Sequence, residues 1–148
     1  TLNLRMQQHV TNAQAMVQWL QQHDAVAWVN HPDINADTHT KALFPKGAGS
    51  MLTFGVKGGR DAGAAFINAL QLSSNLANVG DSRTLVLHPG STTHSRLSET
   101  DLVAAGISAD LIRVSVGIET VNDIKADFGL GLRAAAKVAA AQLAPTEA

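Results

Sequence analysis

Residues 111–119 read LIRVSVGIE, and this stretch decides the fold. Its even-numbered positions are all apolar, whereas Arg113, Ser115 and Gly117 occupy odd-numbered positions between them. Alternation with a period of two is typical of a β-strand that packs one face against a core. We therefore expect a strand at residues 111–116, with the arginine on the face opposite the core.

Helix and strand patterns alternate on both sides of this strand. Further strands are predicted at residues 25–29, 51–57 and 84–88, and helices at residues 1–23, 60–71, 98–106 and from Thr120 onward. The helix at 98–106 begins with a capping pattern, SETD, in which Ser98 is the predicted cap. Four strands and about four helices in this order predict an α/β fold, more narrowly an α+β two-layer sandwich. We expect the helices on one face of a sheet that is at least partly antiparallel.

The junction between the first helix and the first strand contains two tryptophans, Trp19 and Trp28, which we expect to anchor the core. The polar stretch at residues 31–46 follows and is typical of a surface loop. Its two histidines, His31 and His39, are expected to face water.

The composition argues against several classes of function. The chain has 148 residues, the size of one domain, and we treat residues 1–148 as a single domain. The formal net charge is -1 and the 11 Lys and Arg residues are scattered, which argues against nucleic-acid binding. No apolar run approaches the roughly 20 residues that cross a bilayer, so no membrane segment is expected. The lack of cysteine rules out disulfides and thiolate chemistry and is compatible with the cytoplasm, where we expect the protein.

Arg113 is the residue with the clearest chemical potential. A guanidinium presents a planar fork of donors that can bind a carboxylate through two hydrogen bonds. The alternative is a structural salt bridge to an Asp or Glu, which is the commoner use of an arginine in a strand. The residues alone leave both interpretations open.

A second informative stretch, residues 78–94, reads NVGDSRTLVLHPGSTTH. On its own, Asn78 is typical of a turn or a cap. His88 and His94 lie six positions apart around a proline turn, but no carboxylate or cysteine stands at a spacing typical of zinc sites. We therefore expect no metal site and assign these histidines to hydrogen-bonded structure.

Together, residues 78–94 and 111–119 resemble the C-terminal domain of the pyridoxal-phosphate enzymes of cysteine and methionine metabolism. The resemblance covers nearly the whole chain, through LNLRMQQH at residues 2–9, KGAG at residues 46–49 and FGVKGG at residues 54–59. It implies the small C-terminal domain of a fold-type I enzyme. The chain opens on Thr1 directly in a helical pattern, so we expect this helix to lead in from a large cofactor-binding domain upstream.

The resemblance also implies roles for three residues. In the family, the arginine that matches Arg113 holds the α-carboxylate of the amino-acid substrate. Asn78 matches a serine of related lyases that contacts the same carboxylate, and Thr93 matches a threonine that borders the substrate pocket. Gly90 departs from the alanine usual in the family, which we expect to alter loop freedom more than chemistry.

The motif sequences are most similar to those of family members that convert O-acetyl-L-homoserine and sulfide to L-homocysteine and acetate, a γ-replacement in methionine biosynthesis. Related activities remain open: an O-succinylhomoserine sulfhydrylase, a cystathionine γ-synthase or a γ-lyase. The alternative outside enzymes is an amino-acid-binding regulatory module, because small two-layer domains of this kind also bind amino acids.

The cofactor implied by the resemblance is pyridoxal 5'-phosphate, bound mainly by the large domain. Family members hold it through a Schiff-base lysine, an aspartate and phosphate-binding groups, and none of the five lysines here stands in the family's lysine motif. We therefore expect no catalytic, cofactor-binding or metal-binding residue in this chain, and no activity from it alone. The implied partners are the large domain, a small amino-acid substrate and further copies in a homo-oligomer, a tetramer in the parent enzyme.

Overall fold

A computed structural model describes residues 1–92 and 96–144 and is organised around a five-stranded sheet. The strands are β1 (Val26–Asn30), β2 (Met51–Val56), β3 (Ser74–Asn75), β4 (Leu85–Leu87) and β5 (Leu111–Ser115). The helices are α1 (Leu2–Gln21), α2 (Thr38–Leu43), α3 (Gly59–Ala69), α4 (Glu99–Ala104) and α5 (Val121–Leu143), with a 3-10 turn at Pro89–Ser91.

The strand order in the sheet is β1-β2-β5-β4-β3. Neighbouring strands run antiparallel except for β3 and β4, which are parallel. The predicted α/β fold and its partly antiparallel sheet are confirmed. The sequence prediction of four strands missed β3, because its two residues are too few to show any alternation.

Strand β5 has the two faces that its alternation predicts. Ile112 and Val114 are fully buried, and Val114 aligns with Leu52 of β2 and Val86 of β4 in the core. Arg113 faces the opposite side, which we call the open face of the sheet. The burial of even-numbered residues continues to Val116 but not to Ile118, which is 38% exposed.

Three helices, α1, α3 and α5, cover the core face of the sheet. The centre of this layer is a cluster of Phe54, Phe66 and Phe128, whose ring centroids lie 5.3–6.1 Å apart. Gly131 of α5 is needed there, because a Cβ atom at this position would lie 2.6 Å from the Phe66 ring. The close packing of α3 on α5 therefore depends on a missing side chain.

Side chains of α1 hydrogen-bond the backbone where the chain leaves β5. His9 Nδ1 donates to the carbonyl of Val116 at 2.6 Å. Asn12 Nδ2 donates to the carbonyls of Gly117 at 3.1 Å and Glu119 at 2.8 Å. Both side chains are buried, so these bonds fix α1 against the end of the central strand.

The region around Trp28 differs from the sequence prediction. Trp19 does pack against the core, but Trp28 is half-buried on the open face, where its Nε1 donates to Asp110 Oδ2 at 2.9 Å. The indole lies over Gly55, where a side chain would collide with both Trp28 and Asp110. The tryptophan faces away from the core because a bulge between Val26 and Trp28 shifts the register of β1.

The short helix α4 begins at Ser98, whose hydroxyl accepts a hydrogen bond from the Asp101 backbone N–H at 3.2 Å, as the capping pattern predicts. Val103 of this helix lies near Trp28 and Thr53 around one cavity, so α4 stands over part of the open face. None of the helices in the described part of the chain is long and apolar enough to span a membrane.

The connection that follows α3 is held by the buried carboxylate of Asp127 in α5. Its Oδ1 accepts from the backbone N–H groups of Gln71 at 2.6 Å and Leu72 at 3.0 Å, and its Oδ2 accepts from that of Ser73 at 2.9 Å. Burial alone would raise the pKa of this carboxyl, but the three donors more than offset burial and hold the pKa below its ordinary value.

Asp127→Asn is expected to lower the free energy of unfolding by about 2–3 kcal/mol, because the new amide NH₂ would face a backbone N–H that needs an acceptor. Since the pKa of Asp127 is lower in the folded than in the unfolded state, the full difference in unfolding free energy between wild type and Asp127→Asn should be present at neutral pH. It should shrink as the pH falls below about 4. Urea unfolding of the wild type and of Asp127→Asn, at neutral pH and at a pH below about 4, measures this difference. Asp123→Asn, at an exposed position of the same helix, is the control, and a pH-independent difference would contradict the assignment.

Candidate functional site

Arg113 lies in the middle of β5, half-buried on the open face of the sheet. The register aligns it with Thr53 of β2 on one side and Leu87 of β4 on the other. Thr53 aligns in turn with Asn30 at the end of β1. These four residues form a straight row across the sheet, which we call the Arg113 row.

A cavity of about 330 Å³ opens over one side of this row. Among the described residues its lining contains no Asp or Glu, so the guanidinium is the only permanently charged group that they contribute to it. The residues that line it are Asn30, His31, Pro32, Met51, Leu52, Thr53 and Arg113. A site of this kind is suited to an anion with hydrogen-bond acceptors.

The structural alternative for Arg113, a salt bridge, finds no partner within residues 1–92 and 96–144. The side-chain ion pair found there between groups of permanent charge joins Arg83 to Asp81 at 3.5 Å, and His31 Nδ1 lies 3.8 Å from Asp33 Oδ2. A half-buried guanidinium has given up part of its hydration, and a carboxylate ligand is the group that would best offset this.

The other two predicted substrate residues are placed differently. Asn78 is exposed in the loop between β3 and β4, and its Oδ1 accepts from the backbone N–H of Val79 at 2.9 Å, which is the turn role. The same loop is tied to β5, because Gly80 N donates to Ser115 Oγ at 3.3 Å. The fold therefore brings the Asn78 loop to the face that carries Arg113. Thr93 and His94 lie outside the described residues.

The prediction that His31 faces water is wrong, because only 3% of the residue is exposed. The chain turns back after β1, with Ile34 N bonded to the His31 carbonyl at 2.9 Å, and this turn folds the ring inward. Its Nδ1 accepts from Asp33 N at 3.2 Å, whereas its Nε2 has no partner among the described residues. His39 is exposed, as predicted.

Sequence reasoning missed Glu119, which joins the end of β5 to the start of β4. Its carboxylate accepts from the Thr84 backbone N–H at 2.6 Å and from the Thr84 hydroxyl at 2.8 Å. The same hydroxyl accepts from Gly117 N at 2.9 Å. An acidic residue that follows a strand and a threonine that precedes one are too common in sequences to have signalled this contact.

His88 has the structural role that the sequence predicts. The ring is fully buried, with Nε2 bonded to the Ala109 carbonyl and Nδ1 to Ser91 Oγ, each at 2.8 Å. Burial lowers the pKa of His88, so the ring is neutral at physiological pH. The residues that the structure describes contain no group of three metal-binding side chains.

A site for pyridoxal phosphate would require a lysine amine in a protected setting, close to phosphate donors and a carboxylate. The lysines of this chain are exposed or, at Lys125, half-buried on a helix that covers the far side of the sheet. The described residues therefore do not fit the cofactor by themselves. The positions concerned are Lys41, Lys46, Lys57, Lys125 and Lys137.

Comparison with known proteins agrees with this arrangement. A family model described as "Cys/Met metabolism PLP-dependent enzyme" matches residues 1–133. The chain belongs to this family.

Among curated proteins, the chain is 46% identical over 138 residues to "Homocysteine synthase" of Schizosaccharomyces pombe, covering 91% of this chain and 32% of that protein. It is 47% identical over 131 residues to "O-acetyl-L-homoserine sulfhydrylase 1" of Thermus thermophilus, covering 86% of this chain and 31% of that protein. The chain thus spans about a third of the length of the curated relatives it matches.

A similar solved structure is that of a protein from Campylobacter jejuni, provisionally assigned as an O-acetylhomoserine (thiol)-lyase. The TM-score is 0.75 at 34% identity, with 88% of this chain and 32% of that chain covered. That protein contains a pyridoxyl-lysine phosphate residue. The likeness confirms the fold of a pyridoxal-phosphate enzyme in this family.

Glu119→Gln is expected to lower the free energy of unfolding by about 2 kcal/mol, because a charge-assisted contact with Thr84 is replaced by a neutral one that leaves a donor misplaced. Thermal or urea unfolding measures the change. Asp81→Asn, whose carboxylate accepts only at the surface, should shift stability by less than about 0.5 kcal/mol. Equal effects of the two substitutions would show that Glu119 does not hold the strands together.

Proposed function

We propose that this chain is the C-terminal domain, residues 1–148, of an enzyme that converts O-acetyl-L-homoserine and sulfide to L-homocysteine and acetate. Arg113 holds the α-carboxylate of the amino-acid substrate. The observation that carries the proposal is the guanidinium in mid-strand, half-buried, without an acidic partner in the described chain and facing a cavity that lacks acidic groups.

The contribution of Arg113 is orientation. Its fork of donors can bind both oxygens of one carboxylate, which fixes the direction of the amino acid as well as its position. A substrate held in the reactive geometry loses little further entropy on the way to the transition state. Asn78 and Thr93 are proposed to complete the pocket, and the Gly80–Ser115 contact supports this for Asn78 by bringing its loop to the same face.

Pyridoxal phosphate supplies the electron sink for chemistry at the substrate carbon when it is bound. We assign its lysine, its phosphate-binding groups and the transferase activity to the larger domain, because the described residues do not build such a site. The chain alone is therefore inactive in this proposal. The full enzyme is a homo-oligomer, a tetramer by its resemblance to the family, and a cytoplasmic location is compatible with the cysteine-free sequence.

Arg113→Ala in the full-length enzyme should raise the KM for the amino-acid substrate about 100-fold or more, because two charge-assisted hydrogen bonds are lost. The KM of Arg113→Lys should fall between those of the wild type and Arg113→Ala, since lysine keeps the charge without the fork of donors. Steady-state kinetics with the amino acid and sulfide varied separately measures this. Arg83→Ala, at an exposed loop position, is the matched control. An unchanged KM for Arg113→Ala would overturn the role.

The reaction itself is tested by sulfide-dependent homocysteine formation, with O-acetylhomoserine and O-succinylhomoserine offered side by side to the full-length enzyme. The names of the relatives support a preference for the acetyl ester. A preference for the succinyl ester would indicate the related sulfhydrylase or γ-synthase. Activity on neither ester would favour a γ-lyase, or a regulatory module that binds amino acids without turnover.

A further inference from the structure

The Arg113 row has a polar side and an apolar side. On one side of the arginine stands Leu87, which is buried. On the other side stand Thr53 and then Asn30, one on each successive strand. Within the row, further hydrogen-bond donors for a ligand of the guanidinium are therefore found toward β2 and β1.

The spacing of the row fits such a ligand. Adjacent strands lie about 4.8 Å apart, and side chains directly opposite each other on one face have Cβ atoms about 4.5–5.5 Å apart. Thr53 thus reaches the same space as the base of the Arg113 side chain, and Asn30 stands one strand further. All three residues line the cavity of about 330 Å³.

The hydrogen-bonding capacity of these side chains is unused. Within the described residues, neither the Thr53 hydroxyl nor the Asn30 amide is bonded to another side chain or to the backbone, and Arg113 has no ion pair. Trp28, on the same face of β1, does have a fixed partner in Asp110. The unpaired groups are therefore a property of this row and not of the whole open face.

The chemistry of a carboxylate matches what the row offers. A carboxylate can accept about four hydrogen bonds, and a bidentate arginine uses two of them. A hydroxyl and an amide NH₂ are the donors that can satisfy the remaining lone pairs without adding charge. The β-branched Thr53 also has few rotamers, so little entropy is lost when its hydroxyl is engaged.

We infer that the substrate carboxylate is bound by three side chains of the Arg113 row, with Thr53 and Asn30 as binding residues beside Arg113. Arg113 supplies the charge, and the other two fix which way the carboxylate lies by donating from the β2 side. This inference rests on the proposed function and adds two specificity-determining residues to it.

The test uses the full-length enzyme with Thr53→Val, which removes the hydroxyl at nearly constant volume, and Asn30→Leu, which removes the amide at similar volume without adding charge. Each should raise the KM for the amino-acid substrate about tenfold, since a hydrogen bond to a charged group is lost. The KM for sulfide should stay within twofold of the wild-type value. Thr53→Ser, which keeps the hydroxyl, should restore the KM for the amino acid.

Thr11→Val is the matched control, because the exposed Thr11 hydroxyl bonds the Gln7 carbonyl of α1 and does not line the cavity, so the KM for the amino acid should stay within twofold of wild type. A KM within twofold of wild type in either Thr53→Val or Asn30→Leu overturns the three-residue site, as does a Thr53→Ser variant that behaves like Thr53→Val. If Arg113→Ala is also without effect, the proposed function fails; if Arg113→Ala alone weakens binding, only this inference fails. Thermal unfolding of each variant reports folding, and if Thr53→Val is destabilised, the exposed Asn30 position decides the outcome.

Discussion

The antiparallel pairing of β5 with strands on both sides is the interaction on which the rest of the structure depends. Its register with β2 and β4 is continuous through Arg113, so the backbone of that residue is fixed from two directions. The pairing continues past the strand end, where Val116 N bonds the Ser50 carbonyl and Ile118 N bonds the Ser82 carbonyl, each at 2.9 Å.

One face of the sheet packs against the core and stabilises the fold, and the other face carries the proposed binding residues. The core face carries the phenylalanine cluster and three helices, and the buried apolar side chains there supply the main driving force for folding. The open face carries Thr53, Arg113 and Asn30, which contribute little to that driving force. Because α1, α3 and α5 stabilise the sheet from one side, polar side chains on the other side can remain without partners until a ligand binds.

The parts of the structure that sequence predicts are those with a local pattern. The alternation of residues 111–116 predicted both β5 and the side on which Arg113 lies, and the capping residue Ser98 predicted the start of α4. These signals succeed because each depends on residues close together in the chain.

The parts that sequence did not predict depend on contacts between distant residues. Trp28 turns to the open face because of a bulge, and its partner Asp110 lies 82 positions away. Glu119 accepts a hydrogen bond from Thr84, which lies 35 positions away, and β3 forms only because its two residues pair with β4. The Arg113 row is of the same kind, since its four members come from four separate strands and no single window of sequence contains them.

An arginine without a partner also constrains how the open face can be covered. In the proposed enzyme, a larger domain that covered this face would remove water from Arg113. The loss of hydration around a guanidinium is unfavourable unless a carboxylate replaces the water. Closure over an empty site is therefore opposed and closure over a bound amino acid is favoured, because the substrate supplies the charge that the sheet itself does not. The same argument explains why a cavity without acidic groups suits this position: a protein carboxylate there would satisfy Arg113 permanently and remove the advantage of binding substrate.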